Sequence, residues 1–231
     1  MTEHCDDRRR WNLRSTGHAG SIMFLLAVVL LPLQWFRAQE QDEVAAVKQS
    51  LTENQKRLRQ YQWFETTVVS LNGEQKSQMQ KICRYGADGA VKKQQISAPR
   101  FVEKKEESAD SMEGATTLIH QYIPLDSQRI QAAKDSGNVA LKPIISGVQL
   151  EIRNYLKPGD TLTITLAGDN VSQVKVATYL ESLEDAITLD VAFASLDDGT
   201  VYPAKSVLVA PGRGFQVVVQ NAGYQRAPTQ R

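Results

Sequence analysis

The sequence predicts an α+β domain. Its expected frame is a curved antiparallel β-sheet, an incomplete barrel, with an N-terminal helix and an inserted helical pair covering the concave face. Three observations carry this expectation. Between Val148 and Gln220, apolar and polar residues alternate in short runs separated by Gly, Asp and Pro turns, the pattern of sequentially paired, half-buried strands. Asn72-Gly73 lies between two strand-like runs and is a strong hairpin signal. Other stretches space their apolar residues three and four apart, as helices with one buried face do.

The chain begins with an export element. Arg8, Arg9, Arg10 and Arg14 precede an apolar run from Ile22 to Leu33, the arrangement of a secretory signal. Ala38 offers a small residue before a cleavage point, although Phe36 stands where a second small residue is expected. Residues 19–36 also reach the lower length limit of a membrane span. Residues 1–38 are therefore expected to be a signal peptide or an uncleaved membrane anchor. On both readings residues 39–231 form one exported domain in the periplasm or cell envelope, and membrane contact through residues 19–36 follows only if the segment is retained. Cys5 precedes the apolar run, so it is not the lipid-modified cysteine of a lipoprotein signal.

Setting that segment aside changes the inventory. Of 27 basic and 26 acidic residues, 22 and 23 remain beyond residue 38. So even a balance gives no footprint for a nucleic-acid binder. One cysteine, Cys83, and one histidine, His120, remain. They cannot supply an internal disulfide or a thiolate- or histidine-rich zinc site.

Residues 41–62 read as a helix, with Val44, Val47, Leu51, Leu58 and Tyr61 in one stripe. The charged run Glu53 to Arg59 is read as its solvated face. At Trp63 the period drops to two, and the strand to Leu71 turns at Asn72-Gly73 into a partner spanning Glu74 to Tyr85. A short third strand is expected from Ala90 to Ile96, with Ser97-Ala-Pro99 breaking the pattern. Helical spacing returns from Glu103 to Ile123 and stops at Pro124. Asp126 then caps a shorter helix that ends near Gly137-Asn138. Strands follow at Val148–Leu156, Thr161–Leu166, Val171–Leu180, Ala186–Leu196, Val201–Val209 and Phe215–Gln220, with a frayed tail from Asn221.

The chemistry-bearing residues point away from catalysis. A Cys83–His120 nucleophile–base pair or a Ser-His-Asp triad has no local signature, and no G-x-S-x-G occurs. Glu181, Glu184 and Asp185, and likewise Asp197 and Asp198, fall in turns where carboxylates cap or solvate the chain. Pro211-Gly-Arg-Gly214 is too short for a phosphate cradle and precedes a strand, not a helix. No catalytic residue, metal ligand set or cofactor is assigned.

Four stretches carry a resemblance: QKRLRQYQWFETT at residues 55–67, CRYGADG at 83–89, RIQAA at 129–133 and NYLKPGD at 154–160. They resemble segments of a group of uncharacterised exported bacterial proteins, which has no established activity. The order of elements over residues 41–220 is similar to that of the periplasmic lipoprotein carriers and outer-membrane lipoprotein-sorting proteins. That resemblance implies a non-enzymatic carrier for a lipid or for the acyl chain of a lipid-anchored protein. It places Trp63, Val69, Met79, Ile164, Val176 and Phe193 around an apolar cavity. The alternative is that these residues make a filled core, as protein interiors do by default. The chain is then an envelope domain that binds another protein through a sheet edge or helix face.

Overall fold

The computed structural model describes residues 44–96, 100–101, 106–145, 147–168, 170–182 and 184–227. The expected signal or anchor at residues 1–38 lies outside them. Among the described residues no helix is long and apolar enough to cross a membrane.

The first described helix, α1, covers residues 44–58. It is followed by β1 (Tyr61–Leu71), β2 (Glu74–Tyr85), β3 (Val91–Gln95) and the two-residue β4 (Arg100–Phe101). Next come α2 (Glu106–Tyr122) and α3 (Ser127–Asp135). The remaining strands are β5 (Val139–Ile144), β6 (Gly147–Arg153), β7 (Thr161–Ala167), β8 (Asn170–Tyr179), β9 (Ala186–Ser195), β10 (Val201–Ala210) and β11 (Phe215–Arg226). The sheet runs β3-β2-β1-β11-β10-β9-β8-β7-β6-β5, with β4 beside β2. Every pairing is antiparallel. The end strands β3 and β5 do not pair with each other, so the sheet is a curved, incomplete barrel.

Strict alternation explains why one face is buried. In β7 the side chains of Leu162, Ile164 and Leu166 point into the core, while the intervening threonines stay half-exposed. Ile187, Leu189 and Val191 of β9 and Phe215, Val217 and Val219 of β11 share that face. The helices cover it. Val44, Val47 and Leu51 of α1, Leu118, Ile119 and Tyr122 of α2, and Ile130 and Ala133 of α3 join the same buried cluster. Each fully buried Leu or Ile there contributes about 1.5–3 kcal/mol of transfer free energy. Asp126 Oδ1 caps α3 by accepting from the backbone N–H groups of Gln128 (2.7 Å) and Arg129 (3.4 Å), as expected.

The first and last strands of the described residues pair with each other. β1 lies between β2 and β11, so the first hairpin joins the last strand. One residue, Trp63, lies between the paired positions Gln62 and Phe64, against two, Gly223 and Tyr224, between their partners Ala222 and Gln225, leaving one extra residue on β11. Gly223 sits in that bulge with φ +66°, a left-handed conformation that suits glycine.

Several boundaries differ from those expected. The first helix ends at residue 58, and Tyr61 opens β1. The turn at 59–60 tightens through Gln60 N–H donating to Arg57 O, and Tyr61 is captured by pairing with Arg226. β5 was not anticipated. It is an edge strand with no fully buried residue and a proline, Pro143, which only an unpaired edge tolerates easily. The strand expected to reach Leu156 stops at Arg153, where Asn154 turns with φ +54°. The tail is not frayed from Asn221, because β11 continues beside β1 to Arg226.

Candidate functional site

The motif at residues 154–160 is architectural. Asp160 is buried and accepts backbone N–H groups from Tyr155 (2.6 Å), Leu156 (2.9 Å) and Lys157 (2.9 Å). Its Oδ2 also receives the Tyr122 hydroxyl at 2.5 Å, and that hydroxyl lies 3.0 Å from Thr178 Oγ1. The loop thereby fixes the last turn of α2 over the sheet. Burial and the Asp160 hydrogen bond both push the Tyr122 phenol upward, keeping it neutral.

The fixed end of α2 roofs a cavity of about 450 Å³. Its floor comes from Trp63 and Glu65 of β1 and from Val219, Asn221 and Tyr224 of β11. One side is Tyr85 of β2 with Val91 and Lys93 of β3, and the other is Pro203 and Ser206 of β10. Leu58 of α1 and Ile119, His120 and Ile123 at the end of α2 close the top.

Most of the wall is apolar or aromatic. The bulge at Gly223 brings Tyr224 onto Trp63, with ring centroids 5.4 Å apart and planes within 8°. Tyr85 packs on the same indole at 5.5 Å, and Tyr202 lies 4.3 Å from Tyr224. The indole N–H donates to Asn221 Oδ1 (3.1 Å), and Asn221 Nδ2 donates to Pro203 O (2.8 Å). That amide is therefore committed on both sides. Burial pushes the Tyr224 and Tyr85 phenols upward, so both stay neutral rings.

One polar cluster interrupts this wall. Glu65 is only 4% exposed. Lys93 Nζ donates to its Oε1 at 2.9 Å and its Oε2 at 2.7 Å. His120 Nε2 lies 2.6 Å from Lys93 Nζ and 3.4 Å from Glu65 Oε2. As a lone pair this nitrogen accepts from Lys93; as an N–H it donates to Glu65. Burial pushes the Glu65 carboxyl up, but the neighbouring imidazole and the Lys93 ammonium outweigh it and hold the group down at about 2. The cluster joins β1, β3 and α2 across the cavity.

Cys83 is fully buried, and its register partners are Trp63 on β1 and Lys93 on β3. Burial, reinforced by the Glu65 charge, pushes the thiol up to about 12, which leaves it protonated and a poor nucleophile. Two of the turn carboxylates hold the fold together. Asp185 takes Arg213 through Nε (3.2 Å) and Nη2 (2.9 Å), and Asp198 accepts from the Tyr61 hydroxyl (2.6 Å). Arg213 of the Pro-Gly-Arg-Gly turn thus clamps the β8–β9 connection.

Of the six residues expected around a cavity, Trp63 lines this one. Val69, Ile164 and Val176 lie in the filled core under the helices, and Phe193 packs partly buried against it. Met79 is half-buried on β2, opposite Thr67. Filled core and cavity thus coexist at different places under the helices. Glu65 and Lys93 were not singled out from the sequence. For Glu65 a signal existed: it keeps phase with Trp63 and Val69, so a carboxylate sits on the inward face of β1.

No protein-family model matches this chain, and no curated protein matches it. Two solved structures show a loose likeness. The crystal structure of a DUF1329 family protein from Desulfovibrio piger is 9% identical with a TM-score of 0.43, covering 81% of this chain and 92% of that one. The crystal structure of a LolA superfamily protein from Nitrosomonas europaea is 11% identical with a TM-score of 0.39, covering 79% of this chain and 94% of that one. Neither likeness carries a residue role to this chain.

Proposed function

We propose that this is an exported, non-enzymatic binding protein that holds the acyl chain of a lipid or of a lipid-anchored protein between α2 and the concave face of its sheet. The observation that carries this reading is the cavity. At about 450 Å³ it falls in the range of small-molecule sites, about 300–1,000 Å³. Its aromatic and aliphatic walls offer burial to an apolar ligand, and one polar cluster fixes orientation. Each CH₂ transferred from water into such a site is worth about 0.8 kcal/mol.

The test has two parts. Native mass spectrometry of the purified protein is expected to reveal co-purified lipid, and an uncharged fluorescent probe such as N-phenyl-1-naphthylamine is expected to bind saturably. Val91→Trp, which places an indole at the half-buried β3 wall, is expected to abolish probe binding while the protein still melts cooperatively. Absence of both lipid and saturable binding sinks the proposal.

A second reading, a protein-interaction domain, draws on one observation. Ile145 is fully exposed in the turn after β5, and among the described residues no strand pairs with the outer edge of β5. A strand-adding peptide partner fits that edge. Crosslinking from position 145 to an envelope protein is its test.

A further inference from the structure

The cavity's polar cluster discriminates among ligands, an argument that rests on the cavity being a lipid site. Lys93 spends its hydrogen bonds on both oxygens of Glu65 and faces His120, so it is not free to receive an anion. Glu65 is nearly inaccessible to water and is surrounded by apolar and aromatic wall. A ligand carboxylate entering here has two options. It takes Lys93 and strands Glu65 buried without its counter-ion, or it stays beside the Glu65 charge and is repelled. An ester, amide or alcohol meets neither penalty. It needs only ordinary hydrogen bonds, which the partly exposed His120 ring at the top of the cavity and the Ser206 hydroxyl on its β10 side can make.

We propose that the Glu65–Lys93–His120 cluster is a charge filter, which makes the cavity select an acyl chain with an uncharged head over the same chain ending in an ionised carboxylate. Glu65 sets the filter because it neutralises Lys93, the one ammonium that the described residues place in the wall. Without that carboxylate, Lys93 becomes a receptor for the acid.

The experiment displaces N-phenyl-1-naphthylamine from the full chain with lauric acid or with its glycerol monoester, at about pH 8, where the free acid is ionised. In the wild type the monoester is expected to compete at a concentration about tenfold or more below that of the acid, since the acid must break or oppose the buried pair. In Glu65→Gln the preference is expected to narrow to equality or reverse. Equal competition by the two ligands in the wild type, or a preference for the acid, overturns the charge filter and leaves the lipid site standing. A preference that is unchanged in folded Glu65→Gln overturns the part assigned to Glu65. Competition by neither ligand overturns the filter and the lipid site together. The wild-type comparison decides the matter even where the variant does not fold.

Discussion

Replacing Glu65 by Gln removes the buried partner of Lys93, and its effect on stability should depend on pH in a specific window. The Glu65 carboxyl falls from an ordinary 4.5 to about 2 in the folded protein. A depressed carboxylate contributes stability that is fully present above its unfolded value and is lost as pH falls through its folded value. That places the window between about 4.5 and about 2. The drop corresponds to about 3 kcal/mol, and with Glu65 so deeply buried little of it is screened by solvent. The cost of removing one member of a buried pair, about 3–5 kcal/mol, has the same size. Urea unfolding of wild type and Glu65→Gln, followed by tryptophan fluorescence and circular dichroism from neutral pH downward, measures it. At neutral pH the variant is expected to be less stable by about 3 kcal/mol, and the gap should close as pH approaches 2. Asp198, also held at about 2, by the Tyr61 hydroxyl, titrates in both proteins and cancels in the difference. Stability curves that stay parallel across the window would refute the assignment of a buried, charge-compensated Glu65.

Three further outcomes are expected. Tyr122→Phe removes the hydroxyl shared by Asp160 and Thr178 and leaves the buried carboxylate one donor short, so chemical denaturation should show a loss of about 1–3 kcal/mol. Gly147→Ala places a Cβ 2.2 Å from the Leu166 carbonyl oxygen at a backbone φ of +145°. The β6–β7 pairing must shift, and calorimetry should show a destabilisation of about 2 kcal/mol or more. In a Cys5→Ser background the Cys83 thiol should resist an aromatic disulfide reagent until the protein unfolds; fast labelling of the native protein contradicts its buried, protonated state.

Much of the strand pattern was legible because periodicity is a local property. Leu162, Ile164 and Leu166 alternate with threonines, and no distant residue is needed to see which face of β7 is buried. The hairpin at Asn72-Gly73 is equally local: Asn72 has φ +50° and Gly73 φ +83°, the conformation that this residue pair favours. α3 was readable from its Asp126 cap. β5 was not, because an edge strand containing Pro143 and lacking a buried face carries little alternation.

The site divides along the same line. Trp63 and His120 drew attention as residue types, and the inward phase of Glu65 was present in the alternation of β1. Lys93 had no such mark, since the short strand Val91–Gln95 is polar on both faces and its lysine gains meaning only beside Glu65. These two residues are separated by a hairpin and a turn, and His120 reaches them from a helix that packs across the sheet. Composition, strand period and turn chemistry therefore settled the fold class, the covered face and the scarcity of reactive groups. Where the cavity lies, and which charges meet in it, followed from the pairing of β1 with β11 and the docking of α2. Those are long-range packing events, stabilised by burial summed over many residues, and no short stretch of chain encodes them.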